Sequence, residues 1–149
     1  MENQNCQTTE NVEETIKLAE ELARYLKQFD IIFLQGELGS GKTTFVKGLV
    51  AGLGGDPVQV TSPSYTLINR YDDTDPIVIH ADLYRLNSID DQETVGLEDY
   101  FFRGLVVVEW AEKWELGWAG NSLQIKLEHM GRNQRKITIK ENRSDDLNG

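Results

Sequence analysis

The stretch Gly36-Glu37-Leu38-Gly39-Ser40-Gly41-Lys42-Thr43 has the spacing G-x-x-x-x-G-K-[ST]. Its chemistry is phosphate binding. Glycines at three of these positions let the backbone take positive φ and come close to a ligand. The loop N–H groups and the start of a following helix then face an anion. Lys42 has the position to reach the β- and γ-phosphates, and the Thr43 hydroxyl to bind Mg²⁺. Glu37, Leu38, Gly39, Ser40, Gly41, Lys42, Thr43 and Thr44 are therefore the candidate nucleotide-binding residues. A ligand-free glycine-rich turn is the competing explanation of such a match. The flanks argue against it: the apolar run Ile31 to Leu34 precedes the loop and a helical pattern, Thr44 to Leu53, follows it.

A phosphate loop holds a triphosphate but needs a carboxylate to help fix Mg²⁺ and a group to orient the attacking water. In open parallel sheets such groups sit at the C-terminal ends of strands. Two acids have that address. Glu109 ends the run Leu105 to Val108, and Asp82 follows the apolar stretch Ile77 to His80. Glu109 is read as the Mg²⁺ carboxylate and Asp82 as the group that orients water or completes the metal site; the roles can be exchanged. Asp82 can also be read as a turn cap. An acid directly after four apolar residues, as Glu109 is, needs a partner if buried. Thr61 and Ser62 lie in a loop of the kind that carries a hydroxyl to Mg²⁺ or the γ-phosphate, with ordinary turn chemistry as the alternative. The candidate catalytic set is Lys42, Asp82, Glu109 and Thr61; the candidate metal set is Thr43, Glu109 and Asp82. His80 is a secondary candidate. Trp110 is a candidate nucleotide contact, an interface anchor or a packing residue.

Several elements must position these groups. Asn11 has the type of a helix N-cap and Glu14 sits where a capping box needs it. Ile16, Ala19, Leu22, Ala23 and Leu26 then share one helical face. Ile31 to Leu34 reads as a buried strand, and Phe45, Val46, Leu49, Val50 and Leu53 as the core face of the next helix, ended by Gly54-Gly55-Asp56-Pro57. Tyr65 to Tyr71 and Ile77 to His80 read as strands, Asn87 to Gln92 as a loop entering a short helix, and Leu97 to Phe102 as another short helix. Gly104 to Val108 reads as a central parallel strand, and Lys113 to Trp118 as a helical turn and loop. Leu123 to Leu127 and Ile137 to Ile139 alternate around Gly131-Arg132-Asn133, as in an antiparallel hairpin. Arg132, Arg135, Lys136 and Lys140 make that hairpin basic: a solvated face, or a docking surface. The expected architecture is a three-layer α/β P-loop sandwich with a mostly parallel sheet and a C-terminal antiparallel hairpin. It forms one domain, with residues 1–8 and 144–149 flexible.

The chain of 149 residues is long enough for a real core. Its net charge of −10 makes it a poor sequence-independent nucleic-acid binder. The single cysteine, Cys6, excludes an internal disulfide or a cysteine metal cluster. No basic-then-apolar leader and no membrane-length apolar run is found, so the sequence reads as cytoplasmic. The absence of N-K-x-D and T-K-x-D favours ATP over GTP. A small-molecule kinase is an alternative, although no arginine-rich lid is evident. A non-hydrolysing nucleotide sensor is another, which an intact Glu109 and Asp82 argue against.

In combination, G-E-L-G-S-G-K-T-T-F, T-S-P-S-Y-T-L, H-A-D-L-Y-R-L and V-V-E-W-A-E resemble the TsaE (YjeE) family, from about Thr9 to about Ile139. The family pattern falls on Lys42, Thr43, Thr61, Asp82 and the Glu109-Trp110 pair. Ala111 stands where many members have proline, and Ser64 and Tyr65 where many have threonine and phenylalanine; these mild departures put no proposed ligand in doubt. The resemblance implies a P-loop ATPase of bacterial tRNA threonylcarbamoyladenosine biosynthesis, slow alone and acting with TsaB and TsaD-type partners. TsaD would carry the transfer to adenosine 37, and tRNA would be met mainly through the complex.

Overall fold

A computed structural model describes residues 3–26, 31–37, 39–63, 68–86, 96–100, 103–113 and 120–142. The elements in chain order are β1 (Asn3–Thr9), α1 (Val12–Ala23), β2 (Ile31–Gln35), α2 (Lys42–Gly52), β3 (Ile68–Tyr71), β4 (Val78–Asp82), β5 (Leu105–Glu109), β6 (Ser122–His129) and β7 (Arg135–Asn142). Short 3₁₀ turns occupy Pro57–Gln59, Leu97–Tyr100 and Ala111–Lys113.

The strands form one seven-stranded sheet in the order β1-β7-β6-β2-β5-β4-β3. The chain has an α/β fold, but the sheet is mixed rather than mostly parallel. β2 pairs parallel with β5 and β6, and β4 with β5; the pairs β1–β7, β6–β7 and β3–β4 are antiparallel. The expected hairpin is present as β6–β7, and β1 pairs along its outer side. Residues 3–8, expected to be flexible, therefore belong to an edge strand. Their composition, Asn-Gln-Asn-Cys-Gln-Thr, offers no apolar alternation, because a polar edge strand need bury neither face. The tail at 144–149 and the expected helix near 87–92 lie outside the described residues.

Both faces of the central strands are apolar, as a parallel interior requires. Ile32, Leu34, Val107 and Ile125 face a cluster that includes Ala19, Ala23, Phe45 and Leu49 of the two helices. Ile31, Phe33, Val106 and Val108 face the other side, against Leu83, Leu86, Leu97 and Ala111. Among the described residues, both α-helices thus pack on one face, and loops and 3₁₀ turns cover the other. Asn11 caps α1 as its type predicts, its side chain accepting from the Glu14 N–H at 2.8 Å.

The helices meet through small residues one turn apart. A Cβ added to Gly48 would lie 2.5 Å from the Cβ of Ala19, and one added to Gly52 would lie 2.6 Å from that of Ala23. Alanine at either position would gain about 1 kcal/mol of helix propensity. Overpacking that contact costs about 1–3 kcal/mol. Gly48→Ala and Gly52→Ala are therefore expected to lower the thermal midpoint; a rise in both would show that the helices can separate without cost.

Candidate functional site

The glycine-rich segment read from the sequence as a candidate phosphate-binding loop lies between β2 and α2. Gly41, the N-cap of α2, is left-handed at φ 100°. A Cβ on Gly36 would stand 2.8 Å from the Leu127 carbonyl oxygen, so the close approach to β6 requires glycine there. The two helix starts differ in kind. α1 has a side-chain cap and two acids, Glu13 and Glu14, in its first turn. α2 has neither, which leaves its first N–H groups and its positive dipole end for an anion.

Lys42, the first residue of α2, is buried. Its ammonium donates to the carbonyls of Gly36 and, at 3.1 Å, Glu37. It also stands 3.9 Å from the centroid of the Trp110 ring. Burial pushes its pKa below that of an ordinary lysine, against the opposing pull of Glu109, Glu112, Asp82 and Glu37. Trp110 holds a left-handed backbone, φ 59°, which a bulky residue rarely adopts and which marks a constrained position. Its ring lies tilted on Tyr84 with centroids 4.9 Å apart.

The two acids are brought side by side by strand register. Asp82 ends β4 and Glu109 ends β5, and the two residues are paired across the parallel ladder. The Thr43 hydroxyl reaches both Glu109 oxygens, at 3.2 and 3.3 Å. Glu109 also bonds to His80 Nε2. A carboxylate accepts, so this nitrogen donates, and in a neutral ring Nδ1 then accepts from the Tyr71 hydroxyl 3.0 Å away. The same hydroxyl is 3.4 Å from the Thr61 carbonyl. Burial pushes the Tyr71 hydroxyl above its usual pKa, which keeps it a donor. A chain of hydrogen bonds therefore runs from Tyr71 through His80 and Glu109 to Thr43, with the Thr61 carbonyl as a competing acceptor for the single Tyr71 proton. Asp82 accepts from Ser62 Oγ at 3.2 Å and from the Tyr84 N–H at 2.8 Å.

These groups enclose a cavity of about 510 Å³. Glu37, Gly39, Ser40, Gly41, Lys42, Thr43, Thr44, Asp82, Glu109 and Trp110 all line it. Leu38 lies outside the described residues. Thr61 does not line the cavity: it is exposed, and its carbonyl rather than its hydroxyl joins the network. Among the described residues of that loop, Ser62 lines the cavity. His80 is fully buried, so the structure gives it the role of holding Glu109.

The family model described as "Threonylcarbamoyl adenosine biosynthesis protein TsaE" matches residues 9–137. The chain belongs to the TsaE family. The tRNA threonylcarbamoyladenosine biosynthesis protein TsaE of Bacillus subtilis (strain 168) is 40% identical over 132 residues, which cover 88% of this chain and 82% of that protein. The protein of the same description from Aquifex aeolicus (strain VF5) is 40% identical over 131 residues, covering 87% and 91%. The crystal structure of YdiB from Bacillus subtilis superposes with a TM-score of 0.73 at 34% identity, covering 95% of this chain and 87% of YdiB.

Three residues of this TsaE-family chain take part in the site without having been assigned a role in it from the sequence. Tyr71 completes the His80 link, Glu112 accepts from the Gly36 N–H at 3.4 Å, and Arg135 of β7 binds the loop. Nothing in their local sequence marks them, since each acts across the sheet. Tyr71→Phe leaves His80 Nδ1 without its donor while keeping the ring. Urea unfolding should show a loss of about 1–3 kcal/mol, the cost of one unpaired buried polar group. An unchanged midpoint would mean that the hydroxyl does not hold His80.

Proposed function

We propose that this chain is the ATP-binding and ATP-hydrolysing subunit of tRNA threonylcarbamoyladenosine biosynthesis, working in the cytoplasm with TsaB and TsaD-type partners. One observation carries the ATPase half of this reading: the hydroxyl of Thr43 and the carboxylate of Glu109, far apart in the sequence, meet beside a buried lysine at an uncapped helix start. The family supports the pathway half, since the relatives bear that pathway in their names.

The residues fit a triphosphate. The cavity is of the size that holds a nucleotide-sized ligand. The Ser40 hydroxyl is buried and has no hydrogen-bond partner among the described residues. The glycine-rich turn between β2 and α2 supports a P-loop NTPase reading, in which backbone N–H groups and Lys42 stabilise charge on the β- and γ-phosphates. A hydroxyl and carboxylates are hard oxygen donors that suit Mg²⁺, and Thr43 and Glu109 would hold it, with Asp82 beside them. When bound, Mg²⁺ neutralises charge on the phosphate oxygens. Among the described residues no group of three or more His, Cys, Asp or Glu side chains is gathered for a metal.

The reaction is in-line attack of water on the γ-phosphate. Asp82, its carboxylate held by Ser62 and the Tyr84 N–H, is the acceptor that orients that water. His80 keeps Glu109 aimed at Thr43. The chain's charge of −10 supports a division of labour in which the partners carry most of the tRNA affinity. Among the described residues, no helix is long and apolar enough to cross a membrane.

ATP turnover by the purified protein, alone and with TsaB and TsaD-type proteins, tests both halves. Slow hydrolysis that rises with the partners and disappears in Lys42→Ala is expected. Glu109→Ala and Asp82→Ala should stay folded and lose hydrolysis. Full turnover in Lys42→Ala would remove the ATPase reading; brisk turnover that ignores the partners would keep it and remove the pathway.

A further inference from the structure

Arg135 opens β7, opposite His129 of β6 and Thr9 of β1, so its backbone is fixed by strands on both sides. Its side chain leaves the hairpin and grips the phosphate loop. Nε donates to the Ser40 carbonyl at 2.9 Å, and one terminal nitrogen donates to the Gly39 carbonyl at 3.1 Å. The other terminal nitrogen donates to the carbonyls of Gln134 at 2.9 Å and Arg132 at 3.4 Å. One planar guanidinium thus ties two consecutive loop carbonyls to the turn of the hairpin, a fork that lysine cannot reproduce. Arg135 also lines the cavity, whereas the other basic residues of the hairpin (Arg132, Lys136 and Lys140) do not.

Two physical consequences follow. A trans peptide sets its N–H opposite its C=O. Holding the Ser40 carbonyl against Arg135 therefore fixes the direction of the Gly41 N–H, at the start of α2. The second consequence is electrostatic. The cavity is lined by Glu37, Asp82 and Glu109 in a chain of net charge −10. A polyphosphate entering it meets repulsion that the lining cations, Lys42, Arg85 and Arg135, must offset, and of these Arg135 is the one bonded to the loop carbonyls of Gly39 and Ser40.

We propose that Arg135 is a positioning residue that sets nucleotide affinity, by holding the Gly39–Gly41 backbone in its anion-binding arrangement and by adding positive charge at the mouth of the loop. This rests on the ATP reading of the site. Arg135 is remote from the Thr43–Glu109 pair and from Asp82 in its bonding, so it acts on binding and not on the chemical step.

Titration of wild type, Arg135→Ala and Arg135→Lys with ADP and ATP, together with steady-state hydrolysis, tests the proposal. Two charge-assisted hydrogen bonds are lost, so Arg135→Ala should weaken both nucleotides by about tenfold or more and raise KM by a similar factor, with kcat nearly unchanged. Arg135→Lys keeps the charge without the fork and should fall between. Added methylguanidine should restore part of the affinity of Arg135→Ala and leave wild type unchanged, which a merely structural role would not produce. Thermal midpoints establish that the variants are folded; if Arg135→Ala is not, Arg135→Lys and Arg135→Gln carry the comparison. Wild type that binds nucleotide and variants that bind it equally well would overturn the role of Arg135 alone. Wild type that binds no nucleotide would overturn the ATP reading and this role with it.

Discussion

The hydrogen bond between Thr43 and Glu109 is the contact on which the site depends, and it is a consequence of strand register. β5 lies parallel to β2 with Glu109 opposite Leu34, the residue just before the last of β2. The acid therefore ends its strand level with the start of the phosphate loop. β4 repeats the alignment one strand further out, with Asp82 opposite Glu109. A slip of one residue would turn Glu109 to the other face of the sheet and bring Val108 or Trp110 to its place. The alternation of Ile31 and Phe33 on one face with Ile32 and Leu34 on the other makes such a slip costly, because it would exchange two packed surfaces. The core thus fixes the register and the register fixes the site.

Holding two acids and a lysine in a buried place needs more than register. Each charged group has partners that orient it: Lys42 has loop carbonyls and the Trp110 ring, Glu109 has Thr43 and His80, and Asp82 has Ser62 and a backbone N–H. Burial disfavours charge on Lys42 while four nearby acids favour it. A bound polyphosphate adds negative charge on the same side of that balance as the acids, so occupancy of the cavity makes the charged lysine more stable. The left-handed backbone of Trp110 belongs to this arrangement, since it directs the ring over Lys42 immediately after Glu109 leaves the strand.

Those parts of the site that depend on local sequence were legible in it. The glycine-rich turn between β2 and α2, the cap at Asn11, the strand-ending Glu109 and Asp82, and the β6–β7 hairpin all announce themselves through spacing, turn chemistry or apolar patterning. What was not legible lies across the sheet. The strand at Asn3–Thr9 has no periodicity because it is polar on an edge, and the mixed sheet follows from that strand, from the hairpin beside β2 and from the antiparallel β3–β4 pair at the other edge. Thr61 and Ser62 are adjacent hydroxyls, and only the fold decides that Ser62 lines the cavity while Thr61 is exposed and does not. Arg135 looked like one charge on a basic face; its grip on Ser40 joins residues far apart in the sequence.

The central claim is that Thr43 and Glu109 form one half of a nucleotide-bound Mg²⁺ site. Calorimetric titration with a non-hydrolysable ATP analogue, with and without Mg²⁺, addresses it without requiring turnover or partners. Mg²⁺ should tighten binding to the wild-type protein, and that gain should vanish in Glu109→Ala while metal-free binding survives. A Mg²⁺ gain of undiminished size in Glu109→Ala would contradict the account and move the metal away from this pair.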